Sequence, residues 1–176
     1  MAKIEMKGII NKSRTKFVSR NVYHQSLINL YTRIAKHTTN ATVQRIAARL
    51  RMSNNARHPV NLRKIAEENE KNPESIHVIV AKVLDDETLF VIPKMRISCL
   101  QISNSAKAKI EKFGGEVYTL DQIFEISEKL ENVNLIKGDM TARKCYKFFG
   151  ACGIPGSKTY PKSANKGKNR EKRLNK

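Results

Sequence analysis

From Gly150 to Ser163 the chain reads G-A-C-G-I-P-G-S-K-T-Y-P-K-S, a stretch whose glycines and lysines suit phosphate. A nucleotide-binding loop is G-x-x-x-x-G-K-[ST], with Lys directly after the last Gly so that its ammonium reaches phosphates cradled by backbone amides. Here Ser157 separates Gly156 from Lys158. Such a loop also follows a strand and opens a helix. This one follows the helix-like K-C-Y-K-F-F and runs into Pro161. The residues fit phosphates, while the spacing argues against a nucleotide.

Other chemistry finds little support. Cys99, Cys145 and Cys152 make an odd count without a C-x-x-C pair, which excludes a disulfide framework or zinc ribbon and fits a reducing compartment. Cys99 lies in an apolar strand pattern and reads as a small core residue. The histidines at 24, 37, 58 and 77 show no ligand spacing, and the acids at 67–74 and 111–131 alternate with Lys as solvated charge does. No catalytic residue, metal site or cofactor is expected, and no small-molecule substrate.

Charge is the stronger signal. Lys and Arg number 34 against 16 acids, a net charge of +18, so the expected partner is a polyanion. Residues 1–63 carry 13 basic side chains and 1 acidic, residues 64–136 carry 9 and 13, and residues 137–176 carry 12 and 2. The centre is therefore ordinary, and the positive charge lies in the flanks. No apolar run approaches the ~20 residues of a membrane span, and the N-terminus lacks the apolar core of a secretory signal.

These flanks need elements to position them. Residues 1–20 show no apolar period and carry Lys12, Arg14, Lys16 and Arg20, as suits an extension ordered by a partner. Tyr23, Leu27, Leu30, Tyr31 and Ile34 recur at helical steps over Val22–His37, with Ser19 or Asn21 as cap and Arg33 on the surface. A second helix, 42–52, places Val43, Ile46, Ala47 and Leu50 on one stripe and Arg45, Arg49 and Arg51 off it. The loop S-N-N-A-R-H-P-V-N-L-R that follows is rich in donors: Asn54, Asn55, Arg57, His58 and Arg63. Asn61 is placed to cap a short helix.

Beyond residue 74 the period changes to two. Strands are expected at 76–83, at 88–92 as its hairpin partner across D-D-E, and at 95–102, with Lys94 and Arg96 at the start of the third. Ser103 or Ser105 caps a helix through Phe113, closed by Gly114-Gly115. Then come a short strand E-V-Y-T-L, a helix from Asp121 to Lys129, a strand V-N-L-I-K-G, and a last helix, 141–149, bearing Arg143 and Lys144. From residue 151 the chain cannot bury enough apolar area to fold alone. It sets Tyr160, able to stack on a base, among Lys158, Lys162, Lys166, Lys168, Arg170, Lys172 and Arg173.

The order of these pieces resembles a known family. The runs V-I-V-A-K-V-L-D-D-E, V-I-P-K-M-R-I-S-C-L-Q-I-S and A-K-A-K-I-E-K-F-G-G-E-V-Y-T-L-D-Q-I are similar to those of the archaeal and eukaryotic large-subunit ribosomal protein eighteen family, kin of bacterial large-subunit protein fifteen. So are L-I-N-L-Y-T-R-I-A-K-H-T, the 53–65 loop and F-F-G-A-C-G-I-P-G-S-K-T-Y-P, so that the resemblance covers about residues 12–170. The chain departs from it at K-G-D-M-T-A-R, where a G-P-R-like turn is usual, and in a shortened S-K-T. The resemblance implies an α/β fold: a single compact mixed α/β domain of small β-β-α-like units. It implies a non-enzymatic constituent of the cytoplasmic large subunit, assembled in the nucleolus, with large-subunit ribosomal RNA and neighbouring ribosomal proteins as partners.

The resulting expectation is a basic extension at 1–20, a basic helical region at 21–71, a globular core at 72–150 and an RNA-binding tail at 151–176. The basic, Asn, His and Tyr residues named above in the flanks are its candidate RNA contacts. The alternative is a helix-turn-helix-like DNA-binding protein that uses residues 42–52 as a recognition helix.

Overall fold

The computed structural model describes residues 19–127, 130, 132–148, 150 and 159. Residues up to Gly138 form one compact unit, and those from Asp139 a second.

Two helices open the first unit. Helix α1, Val22–His37, and helix α2, Ala41–Leu50, start the same way: Asn21 Oδ1 accepts from the Tyr23 amide at 3.0 Å and Asn40 Oδ1 from that of Thr42 at 2.8 Å. Each cap satisfies an amide that has no partner within its helix. The stripe of α1 is rotated from its sequence reading. Ile28 and Tyr31 are buried, whereas Tyr23 is 87% exposed and Leu30 40%. Helix α2 keeps its predicted buried stripe, Val43, Ile46, Ala47 and Leu50, but ends at Leu50 rather than 52.

A 3-10 turn at Asn54–Ala56 leads to strand β1, Val60–Asn61, and helix α3, Leu62–Lys71, with Asn61 at the cap position. Strand β2, Ile76–Leu84, strand β3, Arg96–Ile102, helix α4, Asn104–Lys112, strand β4, Glu116–Thr119, helix α5, Ile123–Ile126, and strand β5, Val133–Ile136, complete the unit. Ser103 caps α4, and Gly114, at φ +74°, takes the left-handed position that ends it. A Cβ on Gly115 would lie 2.8 Å from the Met95 carbonyl oxygen, so both members of the pair have structural reasons.

All pairings are parallel. Strand β3 lies along one edge of β2 and β4 lies beyond it. The other edge of β2 is shared, by β5 along Ile76–Ile79 and by β1 at Val83–Leu84. Helices α3 and α4 cover one face, packing Ile65 and Ile110 with Ile79, Val83 and Ile97. Helices α1, α2 and α5 cover the other, packing Tyr31, Ile46, Leu50 and Ile123 with Ile76, Val78 and Val80. Burial on both faces is why β2 reads as an almost unbroken apolar run.

The expected hairpin is absent. Residues 85–95 leave β2 and return along the sheet, so that β3 runs parallel to β2. Three contacts explain the path. Asp86 Oδ1 accepts from the Thr88 amide at 3.0 Å, Lys109 of α4 donates to Asp85 Oδ1 at 3.2 Å and to the Asp86 carbonyl at 2.8 Å, and Arg63 of α3 donates to Thr88 Oγ1 at 2.7 Å. The D-D-E segment is thus tied to α3 and α4 rather than turning into a ladder. Pro93, lacking an amide, also disfavours a strand there. Ile92 and Met95 are buried while Phe90 and Val91 are exposed, so 88–92 is a loop with an apolar tip.

Two further elements differ from expectation. The helix read from Asp121 to Lys129 is the short α5, with Gln122 at its cap position, and its C-cap Ser127 is extended. The last helix, read over 141–149, is a 3-10 turn at Lys144–Phe148 in the second unit.

Few polar groups are buried inside the first unit. Tyr31 Oη donates to the Leu120 carbonyl at 2.5 Å while its ring tilts against Phe124, and burial, with Asp121, raises the hydroxyl pKa well above its usual value. His77 is fully buried in β2, with Nε2 3.0 Å from Asn69 Oδ1, and Nδ1 has no hydrogen-bond partner among the described residues. Burial holds this imidazole below its ordinary 6.5, against a smaller opposing pull from Glu68. The fold therefore refuses a proton that the unfolded chain accepts below 6.5, and stability falls as pH drops from 6.5 through the lowered value. His24, lowered by burial and Arg57, acts in the same direction. The urea midpoint should decrease between pH 7.5 and 5.5, less steeply in His77→Gln; an equal slope in that variant would take His77 out of the account.

Candidate RNA interface

The four ion pairs among the described residues join Arg63 to Asp86, Lys71 to Glu68, Lys107 to Glu111 and Lys109 to Asp85. They lie on α3, α4 and the 85–95 loop. Helices α1 and α2 and the 53–58 loop belong to a stretch, residues 6–66, without a single acid. Arg45, Arg49, Arg51 and Arg57 consequently form no ion pair among the described residues, which leaves this side of the unit a source of positive potential.

The candidate cations differ in what holds them. Arg20, Arg33 and Arg45 are exposed and free to meet phosphate, as are Asn54 and Asn55 on the 3-10 turn. Arg49 is half-buried and its Nη1 donates to the Ile136 carbonyl at the end of β5, 3.1 Å away. Burial, then Arg45, lowers its pKa. Arg51 donates to Thr32 Oγ1 at 2.9 Å, tying α2 to α1. Arg57 reaches His24 Nε2 at 3.2 Å, and His58 is buried. Arg63 is spent on Thr88 and Asp86, Arg96 donates to the Glu74 carbonyl at 2.7 Å, and Lys94 is exposed. In the second unit Arg143 is half-buried. Lys12, Arg14, Lys16, Lys158, Tyr160, Lys162, Lys166, Lys168, Arg170, Lys172, Arg173 and the side chain of Lys144 lie outside the described residues.

This sorting separates two variants alike in sequence. Arg49→Ala should cost about 1.5–3 kcal/mol of stability, because a charge-assisted bond to a backbone carbonyl is lost. Arg45→Ala should cost less than about 0.5 kcal/mol and weaken RNA binding instead. Urea unfolding and RNA titration of both variants check this; equal stability losses would show that the Ile136 contact does not matter.

Helix α2 offers little as a DNA-reading helix. Its apolar stripe lies on the sheet, Arg49 and Arg51 are held internally, and Arg45 is the one arginine it leaves exposed. Cys99 is buried, and burial alone pushes its thiol up to about 11, as its core reading requires. Among the described residues no cluster of His, Cys, Asp and Glu could hold a metal, and no helix is long and apolar enough to cross a membrane.

Sequence reasoning missed Tyr23, His24 and Gln101, which gather with Arg57 and Ser19 where α1 meets the carboxyl ends of β3 and β4. Tyr23 was assigned to the core stripe. Its place in the first turn, two residues from the Asn21 cap, was the available sign that it lies outside.

A parallel α/β unit covered on both faces, with arginines on α1, α2 and the 53–58 loop that form no ion pair among the described residues and with basic flanking segments, defines a protein suited to a polyanion. Comparison with known proteins specifies it. The model of the family described as ribosomal protein 60S L18 and 50S L18e matches residues 3–176. Proteins named large ribosomal subunit protein eL18 are similar to it: that of Trypanosoma cruzi is 35% identical over 96% of this chain and 93% of its own length. That of Drosophila melanogaster is 38% identical over 90% and 86%, and eL18B of Schizosaccharomyces pombe 36% over 84% and 81%. The chain belongs to the ribosomal protein 60S L18 and 50S L18e family.

Proposed function

We propose that this chain is a structural constituent of the large ribosomal subunit that binds and stabilises its RNA, acting in translation and subunit assembly, with no catalytic step of its own. The observation that carries the reading is that α1, α2 and the 53–58 loop carry arginines that form no ion pair among the described residues, in a chain whose residues 3–176 match the family. Exposed Arg20, Arg33, Arg45, Asn54 and Asn55 meet phosphates. The basic segments 1–18 and 151–176 extend that contact, with Lys and Arg releasing counterions as they neutralise backbone charge. Phosphate is then also the partner of Gly150–Ser163, as part of an RNA backbone. The protein works in cytoplasmic ribosomes and joins them during nucleolar assembly. Contacts with neighbouring ribosomal proteins fall to surfaces such as Phe90–Val91, apolar and set on a loop whose Asp85 and Asp86 are paired.

Truncation tests the role of the tail. A chain ending at residue 150 should keep its cooperative unfolding transition yet be recovered in mature large subunits at a small fraction of the full-length level. Equal incorporation of the two would remove the tail from the binding account.

A further inference from the structure

Two adjoining concavities at the carboxyl ends of β3 and β4, where ligands settle in parallel sheets, share Ser19, His24, Arg57 and Gln101. The smaller, about 290 Å³, is lined by Arg51, Arg57, His24, Ser53 and Asn54, and among the described residues no carboxylate lines it. The larger, about 650 Å³, runs beside α1 along Tyr23, Leu27 and Leu30, with Leu100 and Leu120 in its wall and Asp121 as its one acid among the described residues.

We propose that the two concavities form one seat for a single unstacked RNA nucleotide, its phosphate held by Arg51 and Arg57 and its base lying against Tyr23, Leu27 and Leu30. The inference rests on the RNA-binding reading and narrows it to a subsite.

The phosphate end follows from an unbalanced charge. Arg57 is half-buried, its Nε is buried without a hydrogen-bond partner, and no carboxylate among the described residues pairs with it. Its Nη1 meets His24 Nε2 at 3.2 Å. The guanidinium can only donate, so the imidazole accepts and is neutral there. Burial and Arg57 favour that neutral form, against a weaker pull from a hydrogen bond to the Leu50 backbone. A half-buried cation without a counter-charge is costly, and a phosphate in the cavity supplies that charge.

The base end follows from misplaced apolar surface. Tyr23 at 87% exposure and Leu30 at 40% stand on the outer side of α1. An aromatic ring beside a phosphate site suits a base that has left its stack, the mode by which proteins read RNA, since A-form duplexes hide their base edges in a deep, narrow groove. Asp121 lines the groove but not the cavity. It repels phosphate and accepts from a base amino group, so it orients the nucleotide with its phosphate towards Arg57.

The test titrates the full-length chain, at one salt concentration, against a labelled RNA hairpin and four versions with one unpaired nucleotide in the stem, one for each base. At least one bulged hairpin should bind roughly tenfold tighter than the paired parent, and Tyr23→Ala or Arg57→Gln should bring that ratio to within about twofold. Tyr23 is so exposed that its truncation leaves the fold alone, and this variant decides the matter if Arg57→Gln does not fold. A ratio near one for the unmodified chain, or a preference that survives Tyr23→Ala, overturns the seat and leaves RNA binding standing. Failure to bind any hairpin overturns both. Displacement of the bulged hairpin by equimolar adenosine monophosphate would give the cavity to free nucleotides and overturn it as well.

Discussion

Gly138→Ala is expected to lower the unfolding free energy by about 3 kcal/mol or more. A Cβ at Gly138 would lie 2.4 Å from the carbonyl oxygens of both His58 and Pro59, closer than any carbon and oxygen pack. Both neighbours are backbone, so no side chain can swing aside. One of them must move, and the two strands sharing the β2 edge meet here: β5 ends at Ile136 and β1 begins at Val60. Moving His58 also moves Arg57, so the variant should lose RNA affinity along with stability. Gly114→Ala is the contrast. Nothing lies within 4 Å of the added carbon there, and only its φ of +74° is strained, at a cost of roughly 1–2 kcal/mol. Urea unfolding of both variants checks the ranking; equal losses would mean that the close approach at Gly138 relaxes.

The second large effect is of salt on RNA binding. If the two flanks and the α1–α2 side together neutralise about 6–10 phosphates, affinity for ribosomal RNA should drop roughly 10³–10⁵-fold between ~50 and ~200 mM salt. Removing residues 151–176, which carry eight of the chain's basic side chains and one acid, should flatten the dependence of log affinity on log salt. Titrations at four salt concentrations give both slopes. A shallow slope for the full chain would make the charge incidental.

Much of the fold was legible because its signals are local. The Asn21 cap, the Ser103 cap and the left-handed Gly114 follow from one or two side chains acting on their own backbone, and each stands where its residue type places it. The direction of β3 was not legible. A period of two describes β2 equally well in either pairing, and the choice was made by Lys109 and Arg63, distant in sequence, holding Asp85, Asp86 and Thr88. Helix α5 ends at Ile126, where Ser127 is extended.

For the interface, the sequence located the charge but could not distribute it. Arg45 and Arg49 read alike on a helical wheel, yet one is exposed and the other binds Ile136 across 87 residues of chain. Tyr23 shows the converse: correct helical spacing with Leu27 and Tyr31 placed it in the core, yet in the first turn it stands exposed.

The measurement that bears most directly on the central claim is sucrose-gradient sedimentation of a lysate carrying the tagged chain, before and after a high-salt wash. Integral membership of the large subunit predicts co-migration with 60S-type subunits and intact ribosomes that survives the wash, because an assembled protein is held by RNA folded around it as well as by charge. Recovery at the top of the gradient, or loss of the subunit-bound fraction in salt, would contradict it.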